Sequence, residues 1–353
     1  MAKSTNITKT FVQGRMNKVI DERLLPEGEY IDAHNIRLGS TEQSEIGSVE
    51  NAKGNDQLTT LTYIDVANTP LTASTRCIGA YEDSATNTLY WFVHDPAFQV
   101  GGAGPIYKLD MIVSYNTILG TLTYHVVSIG TTSTLNFNPT YLITGVNLVD
   151  NMLFWTDDYN PPRKINILKS YPYPVAAVDQ ITAEELLVIK KPPQESPVVT
   201  TSSTAGQENF MEGRFICFAY RYKYEDGEYS ATSQFSAPAF VPDNFQFSPD
   251  SFLNIGMLNI NNAATIEFDS GNELVKEIDL LFKEADSSII KKIEGLNKVE
   301  VGYLDNTTYT YFFDNSKIYT VLPESEILRI YDNVPKVAKA QTLMGNRLVY
   351  GNY

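Results

Sequence analysis

Histidine and cysteine are nearly missing from this chain of 353 residues, with three of the first and two of the second. His34, His94 and His125 stand apart from one another and from Cys77 and Cys217. Neither His-rich nor Cys-x-x-Cys ligand spacing exists, so a metal centre of those kinds is excluded. No Gly-x-Ser-x-Gly elbow marks a hydrolase nucleophile, and each histidine reads as a solvated or core residue. Each cysteine lies inside an apolar run, and both are expected to be buried free thiols without a disulfide framework. Gly101-Gly-Ala-Gly104 lacks the Lys-Ser/Thr of a phosphate loop and precedes Pro105 and a strand pattern, so it reads as a mobile loop tip. Asp157-Asp158-Tyr159-Asn-Pro-Pro162 lacks the alternating ligands of a calcium loop and reads as a turn. No catalytic, cofactor-binding or metal-binding residue is expected, and no cofactor.

Positive charge is also scarce. Lys and Arg number 27 against 42 Asp and Glu, a formal net charge of −15. Displacing counterions from phosphates needs Lys and Arg, so the chain is not a general nucleic-acid binder, nor is it suited to an anionic membrane surface. A protein that DNA slides past without adhering is compatible with this balance. No apolar run approaches the ~18 residues of a membrane-spanning helix. The start, MAKSTNITKTF, has no apolar h-region. The expectation is a soluble protein made in a reducing cytoplasm.

What the chain has in quantity is tyrosine, 22 of them, within 12% aromatics. Tyr, Phe, Val, Ile and Thr suit pleated surfaces, and the length suits two or three domains. A hairpin grammar recurs. Thr75–Asp83 is followed by a polar turn and Asn87-Thr-Leu-Tyr-Trp-Phe-Val93. Tyr141–Asp150 is followed by Asn151-Met-Leu-Phe-Trp155, and Ala338–Gly345 by Asn346-Arg-Leu-Val-Tyr350. Asn, Asp and Gly tolerate the positive φ of tight turns, and Asn-x-Leu-apolar-aromatic suits a half-buried strand. Trp91 and Trp155 hold the same place in the repeat and are expected as inward core residues.

The interval from Asn151 to Asn346 is about three times that from Asn87 to Asn151. The excess begins near Lys190-Lys-Pro-Pro193 and the Thr200–Thr204 run and ends near Ile318–Val321. Strand patterns inside it cover 214–224, 229–236, 264–269, 275–283 and 309–314, about a β-sandwich's worth. Ala219–Ser230 resembles a fibronectin type III module. Thr182 can cap a short helix over Ala183–Val188. Before all of this, residues 1–60 carry apolar residues singly or in pairs among charge and turn chemistry. Such an arm cannot build a core and is expected to lie along another body.

The expected fold is therefore all-β. An extended arm covers 1–60, β-propeller-like hairpin repeats 61–192, an inserted Ig/fibronectin-III-like sandwich 193–320, and a return to the propeller 321–353. A propeller needs about four to eight blades, and the repeats supply fewer. The last hairpin opens at Asn346, close to the end of the chain, so a larger polypeptide, or completion by another chain, is expected.

Phe11-Val-Gln-Gly14, Met16-Asn17, Leu25-Pro-Glu-Gly-Glu-Tyr30, Ala33, Asn35-Ile-Arg37 and Glu50-Asn-Ala-Lys-Gly-Asn55 resemble the N-terminal signature of tail-hub proteins of short-tailed phages. Within that group they are similar to the muzzle family of the crAss-like phages. Trp155–Asn166 and Val334–Asn352 resemble the same family. The resemblance implies a non-enzymatic virion protein of the phage tail, assembled in the host bacterial cytoplasm. It further implies a six-fold ring of copies forming the distal nozzle, built around a β-propeller, which closes the tube and guides DNA outward during ejection. Its partners would be other copies in the ring, the rest of the same gene product, tail tube or ring proteins and tail fibres, with DNA passing transiently. The alternative reading is a glycan- or receptor-binding propeller adhesin or depolymerase-associated protein, with Trp91, Trp155 and Tyr159 stacking on sugars.

Overall fold

The computed structural model describes residues 13, 15–38, 49–51, 54–55, 57–64, 68–285, 287–327, 332, 334–345 and 347–352. Phe11, Val12, Gly14, Ala52, Lys53 and Asn346, all named above, lie outside the described residues. The chain divides into two compact units, Met1–Thr60 and Leu61–Tyr353.

Among the described residues of the first unit, local polar bonds set the turns. A 3-10 turn over Glu22–Leu24 is capped by Asp21, whose carboxylate accepts from Arg23 N at 3.0 Å. Strands β1 (Ile36–Leu38) and β2 (Val49–Asn51) pair antiparallel. Tyr30 bridges to Met16, and the buried Glu29 accepts from Asn17 Nδ2 at 3.0 Å. Val19 is 95% exposed and Leu24 74% exposed.

The second unit is all-β with several antiparallel sheets, none of them closed among the described residues. Strands β3 (Arg76–Asp83), β4 (Thr88–Phe98), β5 (Tyr107–Asn116) and β6 (Thr121–Gly130) form a four-stranded meander in sequence order. Strands β7 (Gly145–Val149), β8 (Met152–Thr156) and β9 (Arg163–Asn166) form a second meander. Turn chemistry sets the hairpins, with Asn87, Asp150 and Gly345 at φ 53°, 51° and 56°. The meander β3–β6 is covered on both faces. One core joins Phe92, Ile112 and Val126 to Phe137, Leu153 and Trp155; the other gathers Tyr63, Phe98, Met111 and Val127. Helix α1 (Ala183–Leu186) follows, with the expected Thr182 cap completed by Glu185 into a capping box.

Two further sheets share one core. Strands β10 (Val198–Ser202), β12 (Ala263–Asp269) and β15 (Thr308–Phe313) form one, in the order β10-β12-β15. Strands β11 (Ile216–Tyr224), β13 (Val275–Glu284), β14 (Lys291–Asn297) and β16 (Thr320–Val321) form the other, in the order β11-β13-β14-β16. Phe218 and Phe282 of the second sheet meet Phe313 of the first at 4.9 and 5.3 Å between ring centroids. Helix α2 (Lys298–Val301) connects β14 to β15, and α3 (Glu324–Ile327) follows β16. The chain then returns as the hairpin β17 (Ala340–Met344) and β18 (Arg347–Gly351) against β7 and β8. Gln341 Nε2 donates to Asn147 Oδ1 at 3.2 Å and to Phe154 O at 3.0 Å there.

Three expectations are corrected. Trp155 is fully buried beside Phe92, whereas Trp91 is half-buried and faces the other core. A sheet covered on both faces is apolar at both parities, so equal spacing does not assign equal faces. Cys217 is buried, but Cys77 is exposed, because β3 is an edge strand. The segment 229–236 is not a strand. It follows β11 through serines three apart: Ser230, Ser233 and Ser236 donate from backbone N to Tyr222, Tyr220 and Phe218 O, each at 2.8 Å. Each serine Oγ then accepts from the backbone N of the same residue at 3.0 Å. Three residues span the length of two on β11, so the hydroxyl supplies the acceptor that a paired strand's carbonyl would. Ser233→Ala leaves the buried Tyr220 N–H without that acceptor. The expected cost is about 1–2 kcal/mol, with faster hydrogen exchange at Tyr220; unchanged exchange would contradict the pairing.

Candidate functional site: polar hubs, a charged seam and an apolar hairpin

The two buried histidines sit in hydrogen-bonded hubs. Within the cores, His94 Nδ1 lies 2.6 Å from Asp110 Oδ1, which places the ring proton on Nδ1. Asp110 also accepts from Ser133 Oγ and, at 3.0 Å, from Phe137 N. Serine and histidine both bond the same carboxylate, not each other, and all three are buried, unlike a nucleophile–base–orienter relay. His125 Nε2 pairs with Ser114 Oγ at 2.8 Å, and burial holds its pKa below the ordinary value. His34 is exposed beside Asp32.

The Asp157–Pro162 turn is closed on itself. Asp157 accepts from Tyr159 N at 3.0 Å, Asn160 N at 2.7 Å and Asn160 Nδ2 at 2.6 Å. Arg163 fills the space behind it, donating to Leu135 O and to Asn160 Oδ1 at 3.3 Å. Burial lowers the Arg163 pKa, while Asp157 and Asp110 oppose that shift. Among the described residues no group of three or more His, Cys, Asp or Glu could hold a metal ion. The glycine cluster is exposed before β5, with Gly101, Gly102 and Gly104 all at positive φ.

A charged seam joins the meanders to the two-sheet body. Asp226 sits in the exposed turn after β11, yet its side chain is only 13% exposed because it points inward. It meets Lys190 Nζ at 2.5 Å and Lys164 Nζ at 3.0 Å, and Lys164 also meets Glu228 at 2.5 Å. Lys169 bridges Glu225 at 2.8 Å and Glu185 at 3.4 Å. Tyr224 OH donates to Lys191 O at 2.6 Å, and Asn272 Nδ2 to Glu184 at 3.0 Å. Burial alone would raise the Asp226 carboxyl, but the two lysines bring it down to about 2.

Two exposed features stand out. Residues 241–260, between β11 and β12, form a hairpin whose apolar side chains point into solvent: Phe252 is 80% exposed, Phe245 74% and Leu253 65%. The sequence alone did not mark it, because Asn, Asp, Pro and Ser interleave the apolar residues and read as loop; the density of aromatic and aliphatic residues within that loop was the available signal. The second is an apolar groove of about 590 Å³ lined by Tyr63, Ile64, Val100, Pro105, Tyr107 and Val175 among others. Its rim turn is strained. Val175 and Val178 exchange both backbone hydrogen bonds at 3.0 Å around Ala176 and Ala177, which take φ 50° and 59°. Those angles belong to Asn-Gly in a type I′ turn. Ala176→Asn with Ala177→Gly is expected to stabilise the fold by about 1 kcal/mol, as a higher denaturant midpoint with unchanged slope. A lower midpoint would refute the strain.

Of the three aromatic residues considered for sugar stacking, Trp155 is enclosed and Trp91 is stacked on Tyr115 at 6.3 Å. Tyr159 is exposed and stacks on Tyr141 at 5.1 Å.

A search of the curated proteins finds no match to this chain. The family model for the Crassvirus muzzle protein matches residues 5–244, from the arm through both meanders and into the two-sheet body. Matched over more than half its length, the chain belongs to the Crassvirus muzzle protein family.

Proposed function

We propose that this protein is a structural component of a crAss-like phage tail, acting without catalysis in the distal nozzle that closes the tube and guides DNA during ejection. The observation that carries the reading is the family match over residues 5–244. Copies would form a cyclic ring of six, contacting tail tube or ring proteins and tail fibres. The meanders would be blades of a propeller-like body, and the two-sheet body an Ig/fibronectin-III-like module set on it. The arm, 1–60, would lie along a neighbour. The net charge of −15 supports passage of DNA without adhesion. Cryo-electron microscopy and mass spectrometry of purified virions test the proposal, with the chain expected at the tail's distal end. Virions whose tails lack it would overturn the reading.

A further inference from the structure

We infer that the apolar hairpin 241–260 is a self-association knob that seats in the groove beside Tyr63, Val100 and Tyr107 of a second copy of this chain. The inference deepens the proposed ring assembly and rests on it.

The hairpin is a built element. Asn259, buried at its base, donates from N to Glu212 O at 2.7 Å and from Nδ2 to Ala239 O at 3.0 Å. Its Oδ1 accepts from Val241 N at 3.1 Å. Backbone rungs run from Ile260 N to Val241 O at 3.0 Å and from Ile255 N to Gln246 O at 2.8 Å. The two arms approach so closely at Gly256 that a Cβ there would lie 1.8 Å from Asn244 O. Phe252 holds φ 55°, a left-handed conformation unusual for a bulky residue. The backbone is thus set before any partner arrives, which lowers the ordering cost of binding.

The size and charge of the surface select its occupant. Three phenylalanines and six aliphatic residues are exposed along the hairpin. At roughly 150–250 Å² per full aromatic side chain, they present on the order of 900 Å². That is about one partner's share of a stable protein interface and more than a monomer usually leaves open. The segment carries no Lys or Arg, and Asp243 and Asp250 are its only charges. An anionic lipid surface or a nucleic acid would need cations here. Two copies of a chain at −15 repel least where charge is sparsest, which favours contact at this hairpin. The same chain supplies an apolar groove of about 590 Å³ away from the knob. A knob on one copy in a groove elsewhere on the next is a heterologous contact, the kind that closes rings or grows filaments.

The test uses the full chain in analytical ultracentrifugation. The knob variant carries Phe245→Ser, Phe252→Ser and Leu253→Ser. The groove variant carries Ala103→Arg and Pro105→Arg, both at exposed positions. The wild type is expected to self-associate in the micromolar range, and each variant at least about tenfold more weakly with an unchanged thermal midpoint. Mixed in equal amounts, the two variants should form a two-chain species and nothing longer, because one intact knob meets one intact groove. A wild type monomeric at about 100 µM, or a knob variant that associates like it, overturns the inference. Variants that both lose association yet fail to complement would point to a knob–knob contact and also overturn it. A chain found in the virion tail but monomeric here would sink this contact and leave the proposed function standing.

Discussion

Replacing Asp226 with alanine is expected to destabilise the protein by about 3–5 kcal/mol and to free the two-sheet body from the meanders. Removing one partner of a buried ion cluster costs more than the cluster itself contributes, because the remaining charges stay desolvated. Here two lysine side chains, each 6% exposed, converge on one carboxylate. Lys164 would keep Glu228. Among the described residues, Lys190 would keep the Tyr224 ring, 5.3 Å from its ammonium. Glu228→Gln, at a side chain 27% exposed, should cost about 1 kcal/mol or less. Pairing Asp226→Ala with Lys190→Met should return at least about 1 kcal/mol, as a double-mutant cycle would register. Additive losses would mean that the two groups do not interact.

The same carboxylate predicts a pH dependence. Its folded pKa of about 2 lies below the ordinary 3.8, so its contribution is fully present above the unfolded value and is lost as pH falls toward 2. Each unit is worth about 1.4 kcal/mol, which makes the loss about 2 kcal/mol after allowing for partial solvent screening. Asp226→Ala should therefore flatten the acid limb of the stability curve below about pH 4. An acid limb of unchanged steepness would assign that loss to other carboxylates.

How much of this was legible in the sequence depended on the range of the interactions. Hairpins β3–β4, β7–β8 and β17–β18 were written in Asn, Asp and Gly at their turns, a local code read within ten residues. The Thr182 capping box was equally local. The seam was not readable: Glu225-Asp-Gly-Glu228 looked like a turn and Lys190-Lys-Pro-Pro193 like a linker. Nothing in either segment says that a third party, Lys164, arrives from β9 to join them. Strand parity failed at Trp91 because both faces of its sheet are covered, and Cys77 failed because the apolar run around it lies on an edge strand. The serine ladder at 230, 233 and 236 has a period of three, which strand alternation does not anticipate. The apolar hairpin was hidden by its own turn residues.

Asp110→Ala should have a comparable effect inside the meander, about 3–5 kcal/mol, by a different route. Asp110 is fully buried, and among the described residues no lysine or arginine donates to it; its hydrogen-bond partners there are His94 Nδ1, Ser133 Oγ and Phe137 N. Each donor left unsatisfied in a buried site costs about 1–3 kcal/mol, and three are orphaned together. The partners come from β4 and from the loop after β6, so the carboxylate sews that loop onto the sheet and brings Phe137 against Phe92, 6.0 Å between rings. Ser133→Ala removes one donor and leaves Asp110 two others, so about 1 kcal/mol is expected there. The discriminating measurement is native-state hydrogen exchange at Phe137. In Asp110→Ala its amide should exchange through local opening of the loop, well before global unfolding. In Ser133→Ala it should stay protected. Equal protection of Phe137 in the wild type and Asp110→Ala would show that sheet packing alone holds the loop, and that the buried carboxylate is not its anchor.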